Sequence, residues 1–157
     1  MTNKIFKLFA LSALIVMVQG ATAKTLAPCS QVPNRTSAGR AQCALIDSSF
    51  YRGLLGRVPD QAGLNFWVQH SMAGTVSCAQ IAEFFINTDD FKRRYSSTDI
   101  LSGANILYRA LLGRSLAYDN QAISYIANNR PQLSSLAKSI LTSAEFSNRC
   151  RVYGFSR

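Results

Sequence analysis

Apolar residues recur along most of the chain at three- and four-residue spacing, the periodicity of helices buried on one side. Ile46, Phe50, Leu54 and Leu55 form one such stripe, and Gly56 follows it as a C-cap, where a positive φ costs glycine nothing. Pro59-Asp60 then reads as a turn, with Asp60 capping a helix whose Leu64, Trp67 and Val68 face inward, and Gly74 breaks that pattern. Ile81, Phe84 and Phe85 make the next apolar stripe. Thr88 is placed to cap a short last turn, Asp89 to Tyr95, anchored by Phe91. The same plan returns as Ile106 to Leu112, Gly113, Asn120 to Ile126, Pro131, Leu133 to Leu141, and Ser143 capping toward Phe146. Sustained period-two alternation and Asn-Gly hairpin pairs are missing, so the predicted class is all-α. Ala27 to Gly39, with two prolines among Ser, Asn and Thr, reads as irregular.

The return of the plan is also a return of residues. Tyr51-Arg52-Gly53-Leu54-Leu55-Gly56-Arg57 matches Tyr108-Arg109-Ala110-Leu111-Leu112-Gly113-Arg114 at a constant offset of 57. Ile81 to Phe91 matches Leu136 to Phe146 at an offset of 55. Two matched blocks in the same order predict two copies of a helical unit of about 50 residues, within the range of repeat periods. Two copies are too few for a solenoid, so they are expected to pack face to face around one core.

The first residues follow a different pattern. Lys4 and Lys7 precede an apolar run, Leu8 to Val18, which is too short to span a bilayer, and Ala21-Thr22-Ala23 supplies small residues after it. This is the three-part form of a secretory signal, with cleavage expected after Ala23. The expected organisation is a signal peptide at 1–23, an irregular arm at 24–45, repeat one at 46–95, and repeat two with a tail at 96–157. The product would be secreted or periplasmic, with no permanent membrane span. The 157 residues carry a formal charge of +9, and 48% of them are hydrophobic. That composition suits one folded domain and excludes a disordered chain. Cys29, Cys43, Cys78 and Cys150 all lie beyond the signal, and an even count in an exported chain points to two disulfides. Of the three pairings, Cys29–Cys43 with Cys78–Cys150 is favoured, because the first closes a short polar loop and the second ties the two halves together.

Tyr51-Arg52-x-x-Leu55-Gly56-Arg57-x-Pro59-Asp60-x-x-Gly63-x-x-x-Trp67 resembles the repeat signature of the bacterial domain-of-unknown-function family 4214. Its later block, a small residue then x-Glu-Phe, is similar to Ser143-x-Glu145-Phe146 and approximately to Thr88-x-Asp90-Phe91. The resemblance implies a helical plan like that of phycobilisome linker domains. It also implies an exported or surface setting, often beside carbohydrate-related or calcium-binding modules. Copy two departs after Arg114: Ala117 aligns with Asp60, and Ser124 stands where Trp67 would repeat. A family surface, if functional, is therefore expected on copy one.

No catalytic constellation stands out. His70 is the single histidine, no G-x-S-x-G elbow is present, and the cysteines lack metal-ligand spacing. No metal or cofactor is expected. Asp60, Glu83 and Glu145 are the carboxylates that a small lysozyme-like hydrolase of the cell wall could use, the alternative reading. For Glu145 a capping-box role is simpler. The repeated cations Arg52, Arg57, Arg109 and Arg114 are placed alike in both copies. Their structural role would be to bond the last carbonyls of each helix, with Arg57 clamping Asp60. Lys92-Arg93-Arg94 reads as a solvated cationic face that also suits an anionic partner, and Trp67, Tyr51 and Tyr108 as aromatic platforms or core; the candidate binding residues are therefore Arg52, Arg57, Trp67, Lys92, Arg93, Arg94, Arg109 and Arg114. The expected function is a non-catalytic binding or structural module. Its partner would be an anionic envelope or extracellular polysaccharide, or a surface protein; nucleic acid fits the charge as well and the compartment less.

Overall fold

The computed structural model describes residues 28–33 and 35–156. The expected signal peptide, 1–23, lies outside the described residues. Among them there are eight α-helices and no strand: α1 (Ser37–Leu45), α2 (Gln61–Met72), α3 (Cys78–Ile86), α4 (Asp89–Tyr95), α5 (Ile100–Leu107), α6 (Asn120–Asn129), α7 (Leu133–Leu141) and α8 (Ala144–Val152). Helix α1 runs straight on into a π-helical segment, Ile46–Leu55, and α5 into another, Tyr108–Leu112. Each π segment ends on a left-handed glycine, Gly56 at φ 71° and Gly113 at φ 74°.

The two π segments pack against each other at the centre. They cross at Gly53 and Ala110, two residues separated by the same 57 positions that relate the sequence motifs. A Cβ on Gly53 would lie 2.8 Å from the Ala110 Cβ and 3.2 Å from the Ser48 carbonyl oxygen, so hydrogen alone permits this approach. Phe50, Leu54, Leu107 and Leu111 are fully buried around the crossing, together with Leu64, Ile81, Ile86 and Ile126 from the surrounding helices. The Phe85 ring meets Tyr51 edge-on at 4.7 Å and Phe50 at 5.8 Å, closing the core of the first half.

The caps follow the polar residues of the sequence. Asp60, Thr88 and Ser143 each accept from the backbone N–H three residues on, that of Gly63, Phe91 and Phe146. The arm is less irregular than its composition predicts. Helix α1 starts at Ser37, because the Thr36 hydroxyl accepts from the Gly39 N–H and satisfies an open donor of the first turn. Cys29–Cys43 fastens the arm to α1, and Cys78–Cys150 joins the start of α3 to α8, with no free cysteine. Buried Gln42 adds a polar tie: it donates to the Gly154 carbonyl at 2.8 Å and accepts from the Ser71 hydroxyl at 2.6 Å. The apolar stripe of α3 is not buried throughout. Phe85 takes the core position, and its neighbour Phe84 is 55% exposed.

Candidate binding surfaces

The repeated Tyr-Arg-x-Leu-Leu-Gly-Arg element builds the same clamp twice. Helix α4 begins under the first π segment, which brings Asp90 to Arg57; the guanidinium bonds that carboxylate at 2.9 Å and lies 5.1 Å from the Tyr51 ring centre. In the second half, Arg114 bonds Glu145 at 2.5 Å and lies 4.9 Å from the Tyr108 ring centre. Glu145 is thus the counterpart of Asp90 and not a capping-box glutamate. The capping box of this chain is Ser77 with Gln80, at the start of α3. Arg114 also bonds Asp119 at 3.1 Å, as Arg57 reaches Asp60 at 3.9 Å.

Asp119 caps α6 by accepting from the Ala122 N–H, so Asp119, not Ala117, corresponds to Asp60. The counterpart of Trp67 is then buried Ile126 and not Ser124, and exposed Tyr125 corresponds to Phe66. A two-residue insertion in the turn hides both matches. The expected bonding of helix-end carbonyls is also reassigned. Arg57 and Arg114 serve the clamps, and it is Arg94 that donates to the Gly53 and Arg52 carbonyls, at 2.9 and 3.3 Å. Arg149, 55 positions later, sits against Gly113 and donates to the Ser49 hydroxyl at 2.9 Å.

Asp60→Ala and Asp119→Ala should each cost about 1 kcal/mol, the usual loss for an N-cap. Thermal melts of the two variants check this. A neutral Asp119→Ala would refute its correspondence with Asp60.

The clamps have an electrostatic signature. Asp90 is held below the usual carboxylate range, first by its bond from Arg93 and then by that from Arg57. Asp119 is lowered by the Ala122 N–H and then by Arg114. A lowered folded-state pKa adds stability above the ordinary carboxylate range, and that stability is lost as pH falls through the lowered value.

Most of the candidate cations are taken up within the fold. Arg52 bonds Asp47 at 2.8 Å, Lys92 bonds Asp89 at 3.1 Å, and Arg93 pairs with Asp90. The run Lys92-Arg93-Arg94 is therefore two ion pairs and a carbonyl clamp. Of the repeated arginines, Arg109 is the exception: it is exposed, and its side chain has no partner among the described residues. Arg130 and Lys138 are alike in this, and Arg151 bonds only Asn148. Residues 46–95 hold five cations and five carboxylates, whereas residues 96–157 hold seven cations and three carboxylates. Residues 24–45 add Lys24, Arg35 and Arg40 and no carboxylate, so the surplus charge lies on the N-terminal arm and the second half, outside residues 46–95.

A second surface lies on α2 and α3. Trp67 is half-buried on Phe85, with ring centres 6.0 Å apart. Phe66, 49% exposed, packs on one side of it at 5.0 Å, and Phe84 on the other at 4.9 Å. The His70 ring supports Phe66 at 4.2 Å and bonds the Thr75 hydroxyl at 2.9 Å. Tyr51 and Tyr108, expected as platforms or core, are buried core residues. Phe66 is the aromatic residue that sequence reading passes over; it sits beside the inward Trp67, off the helix stripe, and that offset is the only signal it gives.

A cleft of about 350 Å³ lies between Pro33 and Asn65, Val68, Gln69, Met72 and Ala73, and no titratable group lines it. Among the described residues no group of three or more His, Cys, Asp or Glu is placed to hold a metal ion, and no helix is long and apolar enough to cross a membrane. Of the carboxylates weighed for hydrolysis, Asp60 caps α2 and Glu145 is bound by Arg114, while the Glu83 side chain has no partner among the described residues.

Residues 46–95 match the family model described as Domain of unknown function (DUF4214). No curated protein and no solved structure matches the chain.

Proposed function

From a chain whose residues 46–95 match the family model of domain of unknown function DUF4214, we infer an exported, non-catalytic module that associates with an anionic envelope or extracellular polysaccharide. The observation that carries this reading is the uneven charge. Residues 46–95 pair four of their five cations with carboxylates and turn the fifth, Arg94, onto backbone carbonyls, whereas the second half presents Arg109, Arg130, Lys138 and Arg151 with no carboxylate against them. Unpaired exposed cations keep their full field for an external polyanion, whereas a paired cation would first have to give up its carboxylate. The two disulfides fit an oxidising compartment. The cleavable signal expected at residues 1–23 supplies the route of export.

The test is retention on an immobilised polyanion such as polygalacturonate. Arg109→Gln with Lys138→Gln and Arg151→Gln should weaken retention strongly and leave the melting temperature nearly unchanged, since exposed charges add little stability. Lys92→Gln with Arg93→Gln should weaken it less. Equal losses from both sets would show that net charge alone matters and would remove the assignment to the second half.

A further inference from the structure

The aromatic face of α2 and α3 has chemistry unlike the rest of this chain. In a protein of net charge +9, neither helix carries a lysine or an arginine. The one carboxylate there, Glu83, is exposed beside Phe84 and is the only acidic residue with neither an ion pair nor a capping role among the described residues. Asn87 stands one helical turn beyond Phe84 on the same side of α3, and Gln69 stands three residues beyond Phe66 on α2. The face thus offers a row of three rings, Phe66, Trp67 and Phe84, bordered by hydrogen-bonding groups, on two helices without a lysine or arginine.

We propose that this face is a second binding site, which takes the sugar rings of a glycan that carries no acidic groups. Sugar rings present C–H faces, which pack on aromatic faces, and hydroxyls at their edges, which donate to a free carboxylate and bond side-chain amides. The charge pattern selects the occupant. A polyanion meets Glu83 and no lysine or arginine of α2 or α3, so it is disfavoured here and drawn to the second half of the chain. A second copy of this protein would have to bring two net-positive molecules together over a patch whose border is polar. The rings are also held in place before any ligand arrives: Trp67 by its seat on Phe85, and Phe66 by His70. A preorganised surface loses less side-chain freedom on binding. This site is separate from the polyanion reading and stands or falls without it.

The experiment uses the disulfide-bonded chain from Lys24 onward, with cellulose and chitin as acid-free glycans and polygalacturonate as the polyanion. Retention on at least one acid-free glycan should persist at high salt, because neither ring packing nor hydroxyl bonding depends on a long-range field. Phe66→Ala with Phe84→Ala should weaken that retention by at least about tenfold at an unchanged melting temperature, and should leave polygalacturonate binding intact. Glu83→Gln should weaken it less than the aromatic pair does. No retention on either acid-free glycan, or retention that survives the loss of both phenylalanines, overturns the proposal. So does concentration-dependent dimerisation abolished by the same two changes, which would make the face a contact between copies. Loss of polygalacturonate binding with glycan retention intact would instead overturn only the polyanion reading.

Discussion

Replacing Cys78 and Cys150 together by serine should lower the unfolding free energy by about 4 kcal/mol. The bridge spans 72 positions and joins α3 of the first half to α8 of the second. In the chain-entropy model a loop of this length restricts the unfolded state more than the 14-position loop of Cys29–Cys43, whose removal should cost nearer 3 kcal/mol. Against a total stability of about 5–15 kcal/mol for a domain, the larger loss leaves a marginal fold. Denaturant melts of the two double-serine variants provide the comparison. A smaller loss for Cys78–Cys150 than for Cys29–Cys43 would mean that the two halves hold together without their covalent tie.

Gly53→Ala should be destabilising by about 2 kcal/mol, within the usual range for overpacking. Helix propensity alone predicts a gain of about 1 kcal/mol for this change. The new methyl, however, would lie 2.8 Å from the Ala110 Cβ and 3.3 Å from its Cα. Backbone cannot swing aside as a side-chain tip can, so the two π segments must separate and the core around Phe50 and Leu111 must loosen with them. Adding Ala110→Gly removes the closest atom and should recover a substantial part of the loss. Thermal melts of the two single variants and the pair form a complete cycle. A stabilising Gly53→Ala, or a pair no better than the sum of its parts, would contradict the close crossing.

The helical class, the caps at Asp60, Thr88 and Ser143, the glycine ends at Gly56 and Gly113, and both disulfide pairings were legible in the sequence, because each is set by local chemistry or by a short list of alternatives. The π geometry of Ile46–Leu55 was not, since a π and an α stretch bury nearly the same apolar stripe over so few turns. The partners of the arginines were not legible either. Arg57 lies 33 positions from Asp90, and Arg114 lies 31 from Glu145, so only the fold brings them together. Once these pairs are drawn, Arg52, Arg57, Lys92, Arg93 and Arg114 become parts of the framework. Arg109 remains as the repeated arginine free to meet a ligand. Trp67 was visible as a motif residue, but the exposed rings on either side of it depend on how α2 and α3 lie together.

Binding without turnover, carried by charge, is decided by following association of the chain from Lys24 onward with soluble polygalacturonate across a salt series, while assaying the same protein for solubilisation of cell wall. Raising ionic strength from 0.01 to 0.15 M shortens the Debye length from about 30 to about 8 Å. Affinity should fall steeply over this interval, and no wall material should be released. Affinity that does not change with salt, or wall release abolished by Glu83→Gln, would rule out a charge-carried, non-catalytic module.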